Sequence, residues 1–320
     1  MPFSIELQKW GFAKETSRGV AMSAPAKFLA VSSKVKMDYA TALIPDGKIR
    51  GTKEQYTSVA GAKAGTGVLP DIDVEAETIG DLLLGCLGQP TSVQPDSTGS
   101  PLVYKHTFLP AGLVQFPSFT FFADRGLGIK AYPLGVIKKL ALSGATEGKA
   151  VASADLLFKT EQTASAFTQS FNPPNPLMFF QTQILLDGVL NQDVASWDLN
   201  VDNGSAAIRT LSQSQDVYDI RSAGLYKITG GYEVYFETEA NRTKFLSALP
   251  QALTFTMTGD VIQNSFSHQL LLSIPHAQYT AYPFDAINNL LGAKVTFEAT
   301  RDPILGYSLQ AQLINKVTGY

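Results

Sequence analysis

Residues 71–87, DIDVEAETIGDLLLGCL, have a second copy in this 320-residue chain. Shifted by 162 positions they land on 233–249, EVYFETEANRTKFLSAL. Ile72 meets Val234, Val74 meets Phe236, and Glu75 meets Glu237; Leu83, Leu84, Cys86 and Leu87 meet Phe245, Leu246, Ala248 and Leu249. Each copy reads as a strand running into a short amphipathic helix, stopped by Gly88 in the first copy and Pro250 in the second. A self-similarity of this length sets the organisation of everything around it. Backwards at the same offset, Val35, Met37 and Tyr39 meet Trp197, Leu199 and Val201, each alternating with more polar neighbours. Forwards, the tripeptide Ala131-Tyr132-Pro133 returns as Ala281-Tyr282-Pro283 at an offset of 150, which places an insertion in the first copy at 88–101, GQPTSVQPDSTGSP. Beyond it, Leu140-Ala141-Leu142 aligns with Lys294-Val295-Thr296.

Length and repeat agree on about two domains. With 45% hydrophobic and 17% charged residues, each half has material for a core. No apolar run approaches the ~20 residues of a membrane span, and the first residues, MPFSIELQKWGFAKE, carry acids where a signal peptide needs an apolar region. The single cysteine, Cys86, excludes an intrachain disulfide and reads as a small buried hydrophobe. Residues 1–172 hold 17 Lys/Arg and 15 Asp/Glu, and 173–320 hold 8 and 13. The halves therefore carry +2 and −5, and neither is a basic nucleic-acid binder.

Alternation predicts strands at 35–43, 102–108, 118–123, 136–142 and 152–160. In the second half it predicts them at 179–186, 197–201, 232–236, 253–258, 269–274, 295–299 and 307–315. Residues 1–34, where Trp10, Phe12 and Phe28 lie among Gly and Pro, read as an extended arm with aromatic anchors that either packs on its own domain or grips a neighbour. Residues 44–67 read as one long connection ending in a flexible Gly/Ala-rich stretch. It lacks the Gly-Lys-Ser/Thr ending of a phosphate loop. The run 171–176, FNPPNP, is a stiff linker. The class is mostly β: two tandem similar barrel or sandwich domains, 35–171 and 177–320, each with one short α-helix, an N-terminal arm at 1–34 and a linker at 172–176.

Catalytic constellations are missing from the sequence. His106, His268 and His276 are scattered, no Cys/His cluster exists, and neither a cofactor nor a metal motif is present. The acids Asp71, Asp73, Glu75 and Glu77 are spaced by two, so a strand would project all four from one face, and Glu233, Glu237 and Glu239 keep the pattern. They suit a solvated outer face, a divalent-cation site, or an acidic wall that repels nucleic acid.

The order of arm, strand pair, long loop, strand, helix and a run of strands ending in a hairpin fits 35–160 and 197–320. In that order the chain resembles the tail tube proteins (major tail proteins) of long-tailed bacteriophages, and in particular their fused two-domain type. The resemblance implies a non-enzymatic virion protein that is assembled in the host cytoplasm without membrane insertion. Such proteins stack as rings into a hollow tail tube that passes double-stranded DNA, alongside tape measure, tail tip and terminator proteins. It implies sheets joined edge to edge and trimeric pseudo-hexameric rings. It implies an acidic lumen lined by Asp71, Asp73, Glu75, Glu77, Glu233, Glu237 and Glu239, and an inter-ring loop bearing Lys48, Arg50, Lys53, Tyr56 and Lys63. The arm anchored by Trp10, Phe12 and Phe28 would also bridge rings. A tandem ligand- or carbohydrate-binding module, a hydrolase with dispersed residues and another tail or baseplate protein are the competing readings.

Overall fold

The computed structural model describes residues 4–55, 57–171, 173, 175–235 and 239–320. The first half contributes β1 (Lys9–Lys14), β2 (Lys27–Phe28), β3 (Lys36–Pro45), β4 (Ser58–Asp73), α1 (Ile79–Leu87), β5 (Thr91–Val93), β6 (Tyr104–Phe108), β7 (Phe119–Asp124), β8 (Ile129–Ala145), β9 (Val151–Phe158) and β10 (Gln162–Thr163). The second contributes β11 (Thr182–Leu186), β12 (Val189–Asn191), β13 (Val194–Asp202), β14 (Ser205–Ile208), β15 (Asp219–Ser222), β16 (Lys227–Tyr235), α2 (Ala240–Leu246), β17 (Gln251–Gln263), β18 (Phe266–Ala281), β19 (Phe284–Ile287), β20 (Leu290–Ala299) and β21 (Gln310–Asn315). The chain is mostly β, with two helices among the described residues.

Period-2 burial builds the sheet. In β9, Ala152, Ala154, Leu156 and Phe158 point inward; in β13, Trp197, Leu199 and Val201 do the same. The strands of each half pair in one order. In the first half Met37, Gly67, Leu156 and Ile137 form a row across β3, β4, β9 and β8. In the second, Leu199, Gly230, Phe297 and Tyr279 form a row across β13, β16, β20 and β18. One sheet spans both halves, because β8 pairs antiparallel with β13 from Lys139 opposite Asp202 to Ala145 opposite Ser196. A second seam pairs β6 with β21. The small β14–β15 hairpin stands apart from this sheet.

Buried polar groups stitch the halves further. Asn203 Nδ2 donates to the Ile137 carbonyl (2.8 Å) and the Cys86 carbonyl (3.3 Å). Asn315 Nδ2 donates to Ala76 O (2.6 Å). Arg18 Nε donates to Asp219 (3.0 Å), and its other nitrogens reach the carbonyls of Phe116 and Ile220. Each pairing satisfies a group whose burial alone would be costly.

Three expectations change. The N-terminal segment is not a free arm: β1 pairs with β7 along its whole length, and Trp10 and Phe12 are buried in the chain's own core. The Gly/Ala-rich stretch is strand, not flexible loop. A Cβ at Gly65 would stand 2.4 Å from Phe158, and one at Gly67 2.4 Å from Met37 Sδ, so these glycines let side chains close over the backbone. The two Ala-Tyr-Pro tripeptides are not equivalent. The first lies inside β8 opposite β7, whereas the second straddles the end of β18. For the same reason residues 140–142, in β8, have no counterpart in 294–296, which lie in β20.

Candidate assembly surface

The acidic series does not form one strand face. A bulge interrupts β4 between Leu69 and Ile72, with Asp71 at φ 53°, and the strand ends at Asp73. Glu75 and Glu77 lie in the turn that enters α1. Asp71 is exposed, 3.8 Å from Lys34 Nζ. Asp73 accepts from Lys149 Nζ (2.7 Å). Glu75 accepts the Asn175 N–H (3.3 Å), and burial pushes its carboxyl up. Glu77 accepts the Lys316 N–H (3.2 Å) and lies 3.5 Å from His268 Nδ1. Asp73, Glu75 and Glu77 line a cleft of about 900 Å³ together with Lys27, His268 and Lys316. There Glu75 and Glu77 hold the linker and the C-terminal segment in place.

The polar face of the sheet is acidic at other positions, and the pairing registers name them. Asp155, Lys139, Asp202 and Lys227 form one row across β9, β8, β13 and β16. The next rows carry Asn200 with Thr229 and Glu298, then Asp73 with Val151, Ser143 and Asp198, then Ser196 with Glu233 and Lys294. Asp38 and Lys36 occupy the same face of β3. Thus Asp38, Asp73, Asp155, Asp198, Asp202, Glu233 and Glu298 outnumber Lys36, Lys139, Lys227 and Lys294. Glu233 accepts from Ser196 Oγ (3.0 Å) and pairs with Lys294 (3.4 Å). Burial pushes the Asp198 carboxyl up, against the pull of Lys294. Of the predicted acids, Asp73 and Glu233 fall within these rows. Glu239 caps α2 in an exposed position and pairs with Arg242 (3.2 Å). Glu237 lies outside the described residues. The missed acids had a signal in the sequence: Asp198 and Asp202 alternate with Trp197, Leu199 and Val201.

The long connection is shorter than expected. Strands β3 and β4 continue to Pro45 and from Ser58, so the turn occupies 46–57 at the end of a two-stranded projection. Lys48, Arg50 and Lys53 lie in it and are exposed; Arg50 pairs with Asp46 (2.6 Å), and Tyr56 lies outside the described residues. Lys63 is not in the turn. It sits in β4, where its N–H donates to the Gln215 carbonyl (2.9 Å) and its Nζ lies 5.4 Å from the Tyr39 ring centre. Phe28 is half-buried against Phe167 and Phe171. Leu43, Ile44, Ile49 and Val59 leave the projection apolar as well as exposed.

Several strands, among them the short β2, β5, β10 and β12, have a single partner among the described residues, and β3 and β19 are the ones that leave an edge of the sheet running through both halves. Among the described residues β3 pairs only with β4, and β19 only with β20. Such edges are ready templates for another chain. No group of three His, Cys, Asp or Glu side chains that could hold a metal occurs among the described residues, and no helix there is long and apolar enough to cross a membrane. No match was found among curated proteins. The family model described as phage tail tube protein matches residues 8–301. With that match over nearly its whole length, and with a β-sheet running through both halves to open edges, the chain belongs to the phage tail tube protein family, whose members are structural components of the virion tail.

Proposed function

We propose that this chain polymerises with itself into rings that stack as the hollow tail tube, and that the acidic sheet face lines the bore through which double-stranded DNA reaches the host. The observation that carries this reading is the continuous sheet: two halves already join edge to edge, and among the described residues β3 and β19 each pair with a strand on one side only. Two similar β units per chain, the first including β1, would make a three-chain ring pseudo-hexameric. Rings stacked head to tail extend without limit. The β3–β4 projection, with its apolar sides and basic turn, would reach the next ring. Tape measure, tip and terminator proteins are the expected partners at the bore and the ends, and assembly would take place in the host cytoplasm.

Electron microscopy of the purified chain with mass determination of its smallest assembly tests the proposal. Hollow tubes, or rings of three times the 34.5 kDa chain, are expected. A monomer that persists at high concentration and at every salt concentration would sink it.

A further inference from the structure

The seam between the halves shows how one half meets another, and the halves repeat each other's irregularities closely enough to transfer it. The β8–β9 register slips between Ile137 and Lys139 opposite Leu156 and Asp155; the β18–β20 register slips between Tyr279 and Ala281 opposite Phe297 and Thr296. A second slip, between Phe119 and Phe121 opposite Gly135 and Tyr132, returns between Gln251 and Leu253 opposite Ala277 and Ile274. Both coincidences give one offset, since 279 − 137 and 277 − 135 are each 142. Residues 139–145 of β8 therefore correspond to 281–287. On the other side of the seam Leu199 corresponds to Met37, as the rows across each half show, an offset of 162.

We infer that the ring closes by antiparallel pairing of residues 281–287 of one protomer with residues 34–40 of the next, with Phe284 opposite Met37 and Asp285 opposite Lys36. The inference rests on the assembly reading above and adds its register. Side-chain character is kept at the buried positions, whereas the outer pairs change, Lys139–Asp202 becoming Ala281–Ala40. The buried seam pairs Leu140 with Val201, Leu142 with Leu199 and Gly144 with Trp197. Their counterparts are Tyr282 with Tyr39, Phe284 with Met37 and Ala286 with Val35, again apolar. The outer pair Ser143–Asp198 becomes Asp285–Lys36, of opposite charge.

The backbone agrees. Pro283, the one residue of the edge without an N–H, directs its carbonyl to Lys294 N (3.1 Å) on β20, so by alternation the amides of Tyr282 and Phe284 point to the other side of the strand, while the Ala286 N–H donates to its neighbour Asp285 Oδ1 (2.8 Å), a bond the partner strand would replace. On the facing edge the Met37 carbonyl accepts from Arg125 Nη2 (3.4 Å) and the Val35 N–H donates to the Ser32 carbonyl (3.3 Å), two contacts within the chain that the incoming strand would replace.

The helices agree as well. In α1, Leu84 and Leu87 are 0% and 1% exposed, and the second half closes over that helix, with Asn203 Nδ2 and Tyr226 Oη donating to the Cys86 carbonyl. Their counterparts after the repeat, Leu246 and Leu249, are 67% and 56% exposed, and Phe284 is 44% exposed. A second copy seated in the inferred register covers that side of the chain, as the second half covers α1.

Paired cysteines test the register in assembled protein. Lys36→Cys with Asp285→Cys on one chain should oxidise to a ladder that stops at a closed ring. It should give at least about fivefold more cross-link than Asp38→Cys with Asp285→Cys, because opposed Cβ atoms lie ~4.5–5.5 Å apart and diagonal ones farther than a disulfide spans. Native Cys86 is buried and adds no background. As a second measure, Lys36→Glu should reduce ring formation and Lys36→Glu with Asp285→Lys should restore it. Rings that form but cross-link better through the 38/285 pair, or through neither pair, overturn the register and leave assembly standing. If the unsubstituted chain forms neither rings nor tubes, the assembly reading fails and the register with it.

Discussion

At the residue scale, the glycines of β4 decide whether the first half closes. Glycine-rich sequence is ambiguous between a loop and a strand against which something packs, because the packing partner is remote. Phe158 lies ninety-three positions from Gly65, and nothing local announces it. Gly65→Ala should therefore cost about 1–3 kcal/mol as an overpacked site. Gly47→Ala, in the turn with nothing within 4 Å of its Cβ, should stay within about 0.5 kcal/mol of the parent. Urea unfolding at one protein concentration measures both, and equal midpoints for the two variants would refute the packing role. The predicted acids were misplaced for a similar reason. Their spacing by two is real, but a one-residue bulge and the helix entry at Thr78 turn Glu75 and Glu77 away from the sheet.

At the element scale, long alternating strands were legible, since 35–43, 152–160 and 253–258 differ from β3, β9 and β17 chiefly at their ends. The repeated strand-to-helix unit was legible too, because a shift from period 2 to period 3.6 is a strong local signal. Strand β1 was not: KWGFAK is short, and its pairing with β7 spans more than a hundred residues. The β14–β15 hairpin was equally silent; Val217 and Ile220 pack it against Phe116, Leu134 and Val136, and Asp219 adds a polar anchor. Burial alone would raise the Asp219 carboxyl, but hydrogen bonds from Arg221, the Ile220 amide, Arg18 and Gln115 outweigh it and hold Asp219 below the usual carboxylate range. A depressed folded value favours the ionised form, so this stabilisation is present above the unfolded value of about 3.9. It is lost as pH falls through the folded value. Asp219→Asn should thus be less stable than the parent at pH 7, and the difference should shrink steadily below about pH 4. A gap that stays constant from pH 7 to pH 3 would remove Asp219 as the anchor.

At the scale of the whole molecule, the sequence pointed to an acidic surface, and the pairing registers show which acids share it. Rows such as Asp155–Lys139–Asp202–Lys227 alternate in sign, so neighbouring strands attract one another while the face keeps an excess of carboxylates. A bore lined in this way would hold DNA weakly everywhere and tightly nowhere, which suits passage of a long polyanion. Changing the sign at separated points should turn a slide into a trap. Tubes carrying Asp155→Lys, Asp202→Lys and Glu298→Lys should retain a short duplex that the parent tubes release. Retention should weaken with salt along a log–log slope of about −0.9 for each phosphate contacted. Glu239→Lys, exposed beside α2 and outside these rows, should add little. Fluorescence anisotropy of a labelled duplex across a salt series reads the slope, with electron microscopy confirming intact tubes. Equal binding by parent and triple variant would mean that this face does not meet the DNA. The bore would then be lined by another surface, even if the rings close as inferred.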